Sequence, residues 1–357
     1  MFRYCAFFLP AIVLYSSYFI WSRDHGDIAF IYATLGFIFV GIPLLDMVIS
    51  SWFWNKEQDL GHPLNELLIV LFSLPLQVVN IFFFAWYLAN HDTAIYQTAL
   101  LVITAGIFSA LYAQNPAHEL IHHGTRFERL VGLSLFSTSC YTGAKLAHVH
   151  SHHLLVATEQ DPTSAKYNQS LYAYLPAAIA VNLFGWWGSQ SKSEAQSLFR
   201  KRVLLENCFG YGLSLVWIIL IASLFGGFAL LCFLLQSFVG ILVLEMMNYI
   251  GHYGLVRKVD SFGRLENVSE RHAWDCDLPF SNLVLISVQK HADHHINPNK
   301  AYGELRCVAN SPRLPLSYPL LFLLALVPVW WRAVIHPRLD AYLAAPTLSS
   351  NQMAEIK

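Results

Sequence analysis

The sequence predicts an all-α integral membrane protein of about six transmembrane helices, with a histidine-ligated dimetal site at their cytoplasmic end. Three observations carry this expectation. Of 357 residues, 55% are apolar and only 13% charged, against roughly 25% charged in a soluble domain. The apolar residues lie in long uninterrupted runs, which is what crossing roughly 30 Å of hydrocarbon as a helix demands. Ten of the 16 histidines fall into three short clusters, each following such a run or a connection between runs.

The runs place helices at about 5–22, 29–50, 66–89, 96–113, 209–225 and 228–247. The first begins almost at Met1, but no small-residue cleavage site follows it and further spans come directly after, so it reads as a retained span rather than a signal peptide. Six spans put both chain ends and the long connections 114–208 and 248–357 on one side. Arg126, Arg129, Lys145, Arg200, Lys201, Arg202, Arg257 and Lys258 fall there, whereas the short opposite loops hold only Arg23. The positive-inside rule makes that side cytoplasmic. Two further apolar pieces, 171–188 and 314–332, carry prolines and Trp pairs and read as a span, a half-inserted element or an interfacial helix. If either spanned alone, the histidine clusters flanking it would face opposite sides of the bilayer. Without repeats or a flexible linker, residues 1–357 read as one membrane domain.

Formal charge is 22 Lys+Arg minus 23 Asp+Glu, or −1, so the chain lacks the basic field with which a nucleic-acid binder neutralises phosphates. Six cysteines are scattered without a CxxC pair, which argues against a disulfide framework, a zinc ribbon or an iron–sulfur domain. Any redox partner is then a separate protein.

The clusters read His118-Glu-Leu-Ile-His122-His123, His148-Val-His150-Ser-His152-His153 and His291-Ala-Asp-His294-His295. On a helix, residues three or four apart share a face, so 118/122, 148/152 and 291/294/295 should each direct imidazoles to one point. His25, His62, His91 and His336 are isolated and read as interfacial or core residues. His118 to His122 also matches HExxH, the zinc-protease helix, yet two more clusters are superfluous for a protease. A zinc site takes about four ligands; with at least eight imidazoles converging, two metals are implied. Imidazole suits iron, copper, zinc and nickel alike, so ligand softness selects none of them.

These residues resemble the membrane-bound alkane 1-monooxygenases, within the wider set of integral-membrane histidine-rich hydroxylases and desaturases. The resemblance extends to Pro43-Leu-Leu-Asp46, to Asp161-Pro-Thr-Ser-Ala165 after the second cluster, to Asn248-Tyr-Ile-Gly-His252-Tyr-Gly-Leu255, and to Asn297-Pro298 with Leu305-Arg306 after the third. The segment from Asn248 is the most specific, since general desaturases share the clusters but not that segment. The resemblance implies two irons held by His118, His122, His148, His152, His153, His252, His291, His294 and His295. It also implies a bacterial inner-membrane location and conversion of n-alkane and O2 to a primary alcohol. Electrons would come from rubredoxin, supplied in turn by a rubredoxin reductase. Arg126, Arg129, Lys145, Arg257, Lys258, Lys290 and Arg306 lie near the histidines in sequence and are candidates to receive such an acidic donor.

The chain departs from the family pattern at His123, where Lys or Arg is usual, at the extra His150, and at Ala147 and Gly251, which replace glutamates. Glu119, Asp161, Glu245, Asp275 and Asp293 remain as carboxylates to accept the second N–H of ligating imidazoles. In the second span Ile31, Leu35, Ile38, Ile42 and Leu45 recur at helical spacing without an aromatic. That stripe reads either as packing against protein or lipid or as the wall of an alkane channel, with Ile38 near mid-span. Three alternatives stay open: a fatty-acyl desaturase, a hydroxylase of aromatic methyl groups, and a metal transporter with histidine-rich feeding loops. Transporters place their ligands at the bilayer midplane in broken helices, whereas these clusters follow the spans.

Overall fold

The computed structural model describes residues 3–22, 28–53, 63–122, 125–184, 194–259 and 261–345. Among them, five helices are long and apolar enough to cross a membrane. Four are α1 (Tyr4–Trp21), α2 (Ala29–Ile49), α3 (Glu66–Asn90) and α4 (Ile95–His122). Two shorter helices follow: α5 (Arg126–Ser137), whose first turn is closed by a capping box between Thr125 and Glu128, and α6 (Leu171–Phe184).

The fifth apolar helix, Val203–His252, has 50 residues and would run about 75 Å if straight, more than twice the hydrocarbon thickness. It breaks at Gly226, where φ is 81° and ψ 179°, a conformation essentially reserved for glycine. Both arms return to the same place. In the first arm, α7 (203–225), Ser214 Oγ donates to Ser137 O at 3.0 Å and Glu206 pairs with Lys145. In the second, α8 (227–252), Glu245 accepts from Tyr141 Oη at 2.7 Å. The arms therefore form an antiparallel hairpin, and the spans expected at 209–225 and 228–247 flank its bend. Polar side chains tie the bundle where no water is available: Gln77 of α3 donates to Ser109 of α4 (2.9 Å), which donates to Gln236 of α8 (2.6 Å).

Among the described residues, neither awkward apolar piece forms a helix long enough to span. Helix α6 has 14 residues, about 21 Å. The second piece is interrupted between two helices. After α9 (Pro279–Val284) and α10 (His291–Ile296), α11 (Tyr318–Ala325) has only eight residues before Pro328 opens α12 (Pro328–Ala344). These elements pack on the end of α8 in a core of Tyr174, Tyr249, Tyr253, Leu321 and Trp331. The histidine clusters consequently meet at one end of the bundle.

Candidate metal centre

Four pieces of chain deliver the imidazoles. The end of α4 carries His118 and His122, a wound segment from Ala144 to Leu155 carries the second cluster, α8 ends on His252, and α10 carries the third cluster. One nitrogen each of His118, His122, His148 and His294 lies within 4.8 Å of the others, and His152, His252, His291 and His295 form a second such set. The Nε2 of His153 approaches that of His148 at 2.9 Å, adding a fifth imidazole to the first set.

This sorting corrects the expectation from helical spacing. Residues 148 and 152 do not aim at one point, because His148–His152 is wound as a π turn with five residues where an α turn has four. His148 therefore meets His153, while His152 Nε2 lies 3.1 Å from His252 Nε2. On α10, His291 and His295 stay together at 3.2 Å as i and i+4, and His294 turns to the first set.

The far side of each ring determines where its lone pair points. His152 Nδ1 lies 2.8 Å from Asp161 Oδ2 and 2.7 Å from Thr163 Oγ1, and His252 Nδ1 donates to His272 O at 2.9 Å. Both contacts keep the proton on Nδ1 and aim Nε2 inward. There the Nε2 atoms of His152, His252, His291 and His295 meet at 2.9–3.2 Å. Each neutral ring holds one lone pair and one N–H, so these converging lone pairs fit a shared cation. The Nε2 of His294 is buried without a hydrogen-bond partner, as expected of a ligand atom. Burial first, then the neighbouring imidazoles, hold His148, His291, His294 and His295 well below the usual histidine range. They are neutral at pH 7, the form that binds metal. Burial alone would raise Asp161, but His152 and the hydroxyls of Ser164 and Thr163 outweigh it and hold the carboxyl below its ordinary value.

Of the five carboxylates expected beside the imidazoles, Asp161 meets one, His152; the others also hold groups that are not imidazoles. Glu119 Oε1 accepts the Tyr302 amide at 3.0 Å. Glu245 accepts from Tyr141, Asn182, Tyr174 and Asn248. Asp275 Oδ1 accepts the Ala292 amide at 2.8 Å, capping the helix that presents the third cluster, while its Oδ2 binds Ser311 and the Val308 amide. Asp293 binds Asn297, Lys300 and the Arg306 amide, pinning the following loop. Glu245 gathers four side chains, while Asp275 and Asp293 hold backbone and loop. The His272 carbonyl was not foreseeable, since nothing in a sequence marks one backbone oxygen. Thr163 could have been found from its place two residues after Asp161.

Gly251 has a local reason: a Cβ there would lie 2.9 Å from the His291 ring. The polypeptide is tightly turned on both sides of the site, with positive φ at Ala157 (58°), Ile286 (45°) and Ser287 (59°). Two candidate docking cations fall away, because Lys145 and Lys290 are buried, the first paired with Glu206 and the second donating to Leu305 O. His91 stacks on Tyr87, and His336 accepts or donates at Tyr253 Oη, both remote from the clusters. His25, His62, His123 and Arg23 lie outside the described residues, and the extra His150 is exposed.

Ile38 and Ile42 line a cavity of about 970 Å³ whose only polar linings are Asn115 and Ser281. The cavity wall is not aromatic-free, since Phe39 and Phe322 join Ile38 and Ile42 in lining it, whereas Ile31 lies in the packed core outside the lining. Asn115 and Met247 are shared with a smaller cavity that touches His118 and His291.

A helical membrane body that brings two sets of imidazoles around shared points defines a membrane-embedded metalloprotein. Residues 93–325 match a family profile described as fatty acid desaturase. The chain is 34% identical over 320 residues to alkane 1-monooxygenase 2 of Alcanivorax borkumensis, covering 88% of this chain and 83% of that protein. It is 33% identical over 335 residues to alkane 1-monooxygenase 1 of Pseudomonas aeruginosa, covering 90% and 87%. A xylene/toluene monooxygenase hydroxylase component of Pseudomonas putida is 27% identical over 244 residues, covering 67% and 63%. The chain belongs to the alkane 1-monooxygenase family, and it is an oxidoreductase of the monooxygenase type.

Proposed function

We propose that this enzyme hydroxylates the terminal carbon of n-alkanes, R–CH3 + O2 + 2 e− + 2 H+ → R–CH2OH + H2O, with two irons held by the nine histidines. His118, His122, His148, His153 and His294 would hold one iron; His152, His252, His291 and His295 would hold the other. The irons supply the O2 activation that no side chain provides. The observation that carries the reading is the almost wholly apolar cavity, which shares Asn115 and Met247 with the smaller cavity at His118 and His291. Its walls exclude water and offer an unfunctionalised chain nothing but dispersion contacts, so the chain is held end-on by shape. Asp161 and the His272 carbonyl keep two imidazoles in the metal-binding tautomer.

Electrons reach this site from outside the chain, in our reading from rubredoxin recharged by rubredoxin reductase. Exposed Arg126, Lys258 and Arg306 adjoin the first cluster, His252 and Asp293 respectively and suit an acidic donor. The same cations support a bacterial inner-membrane orientation with the histidine end in the cytoplasm, and in our reading residues 1–357 are one membrane domain. The experiment is elemental analysis together with product identification on one purified sample, supplied with reduced rubredoxin, O2 and either octane, toluene or an acyl substrate. Two irons per chain and 1-octanol are expected. One zinc without iron, or an alkene or benzyl alcohol as the favoured product, overturns the proposal.

A further inference from the structure

We propose that Asn248 receives the hydroxyl of the product alcohol, an inference that rests on terminal hydroxylation being the reaction. Two small cavities share His118, Leu244 and Asn248 in their linings. The first also touches His148 and His152; the second touches His291 and shares Asn115 and Met247 with the apolar cavity. Asn248 is thus the carboxamide standing between the two histidine sets where the chain end arrives.

Its orientation is fixed from behind. Nδ2 donates to Glu245 Oε2 at 3.2 Å, and Glu245 is itself held by Tyr141 Oη and Asn182 Nδ2, both at 2.7 Å. A planar carboxamide then turns Oδ1 away from Glu245, toward the cavities, and no hydrogen bond engages Oδ1 among the described residues. Of the other carboxamides at this end, Asn115 is committed through Nδ2 to Leu285 O at 2.9 Å and Asn182 through Nδ2 to Glu245 Oε1 at 2.7 Å. An alkane has no hydrogen to donate to Oδ1, whereas the alcohol has one O–H. The acceptor therefore separates product from substrate and holds the new oxygen at the chain terminus.

The test uses the iron-loaded enzyme turning over octane. In the wild type, 1-octanol should inhibit about five- to tenfold more strongly than its methyl ether, which keeps the oxygen but has no hydrogen to donate. Asn248→Leu should weaken inhibition by 1-octanol by a similar factor and abolish its advantage over the ether. Iron content and the half-saturating octane concentration should stay close to wild type, and Asn248→Gln should recover part of the discrimination. Equal inhibition by alcohol and ether in the wild type, or equal weakening of octane and octanol in Asn248→Leu, overturns the inference. A wild type that makes no 1-octanol from octane instead defeats the proposed reaction.

Discussion

His152 and His153 are neighbours in the chain, yet their Nε2 atoms meet different partners, His252 and His148. Their crowding was legible in the sequence, because nine imidazoles in so few segments leave little else to suggest. Their sorting was not legible, since it depends on one extra residue in the turn His148–His152, and α-helical spacing assigns those rings differently. Asp161 does what its position suggests; Asp275 and Asp293 act on backbone and loop, which residue type alone does not reveal. Two substitutions separate the layers. His252→Ala should empty the second set and abolish activity while the protein still inserts in the membrane. Asp161→Asn keeps an acceptor for His152 but loses the charge, and should lower metal affinity roughly 10- to 100-fold. Iron per chain measured across a chelator series reads both; a full iron complement in His252→Ala would remove that ring from the ligand set.

The helical hairpin shows what an element can hide. Gly226-Gly227 marks a break between two apolar runs, but only backbone geometry tells which glycine turns the chain. Gly226 has positive φ and open space around its Cα, while Gly227 has open space and no such φ. A Cβ at 226 therefore meets conformational strain without a steric clash, of about 1–2 kcal/mol. Gly226→Ala should lower the thermal midpoint in detergent, and Gly227→Ala should hold or raise it, because alanine favours helix over glycine by up to about 1 kcal/mol. Equal effects of the two would place the bend elsewhere. The short apolar helices α6 and α11 were ambiguous for a related reason. Their composition is that of a span, and the difference is length, which for α11 is limited by the break before Pro328.

Across the whole molecule, α2 measures the cavity. Asp46 accepts the amides of Phe280 and Ser281 close to the site, and Ile38 lies eight residues back along the helix, about 12 Å farther away. The aliphatic stripe pointed to this wall; Phe39 and Phe322 could not be anticipated because they come from outside the stripe and from α11. Ile38→Trp should abolish oxidation of the longest alkanes and spare the shorter ones, as read from a chain-length profile in matched membranes. Equal loss at all lengths, or none, would return Ile38 to plain packing. The cavity also reaches Ile103, Leu323 and Leu326, which are 41–45% exposed on the flank of the membrane body. A chain entering there exchanges with lipid tails, not with water. Each added methylene favours the bilayer over water by about 0.8 kcal/mol, close to fourfold, so half-saturation expressed per litre of water should fall about fourfold per carbon with no change in the enzyme's preference. Expressed as mole fraction in lipid the series should be level, because the cavity wall is no more apolar than the tails it replaces, until the chain outgrows the space and selectivity ends in a step.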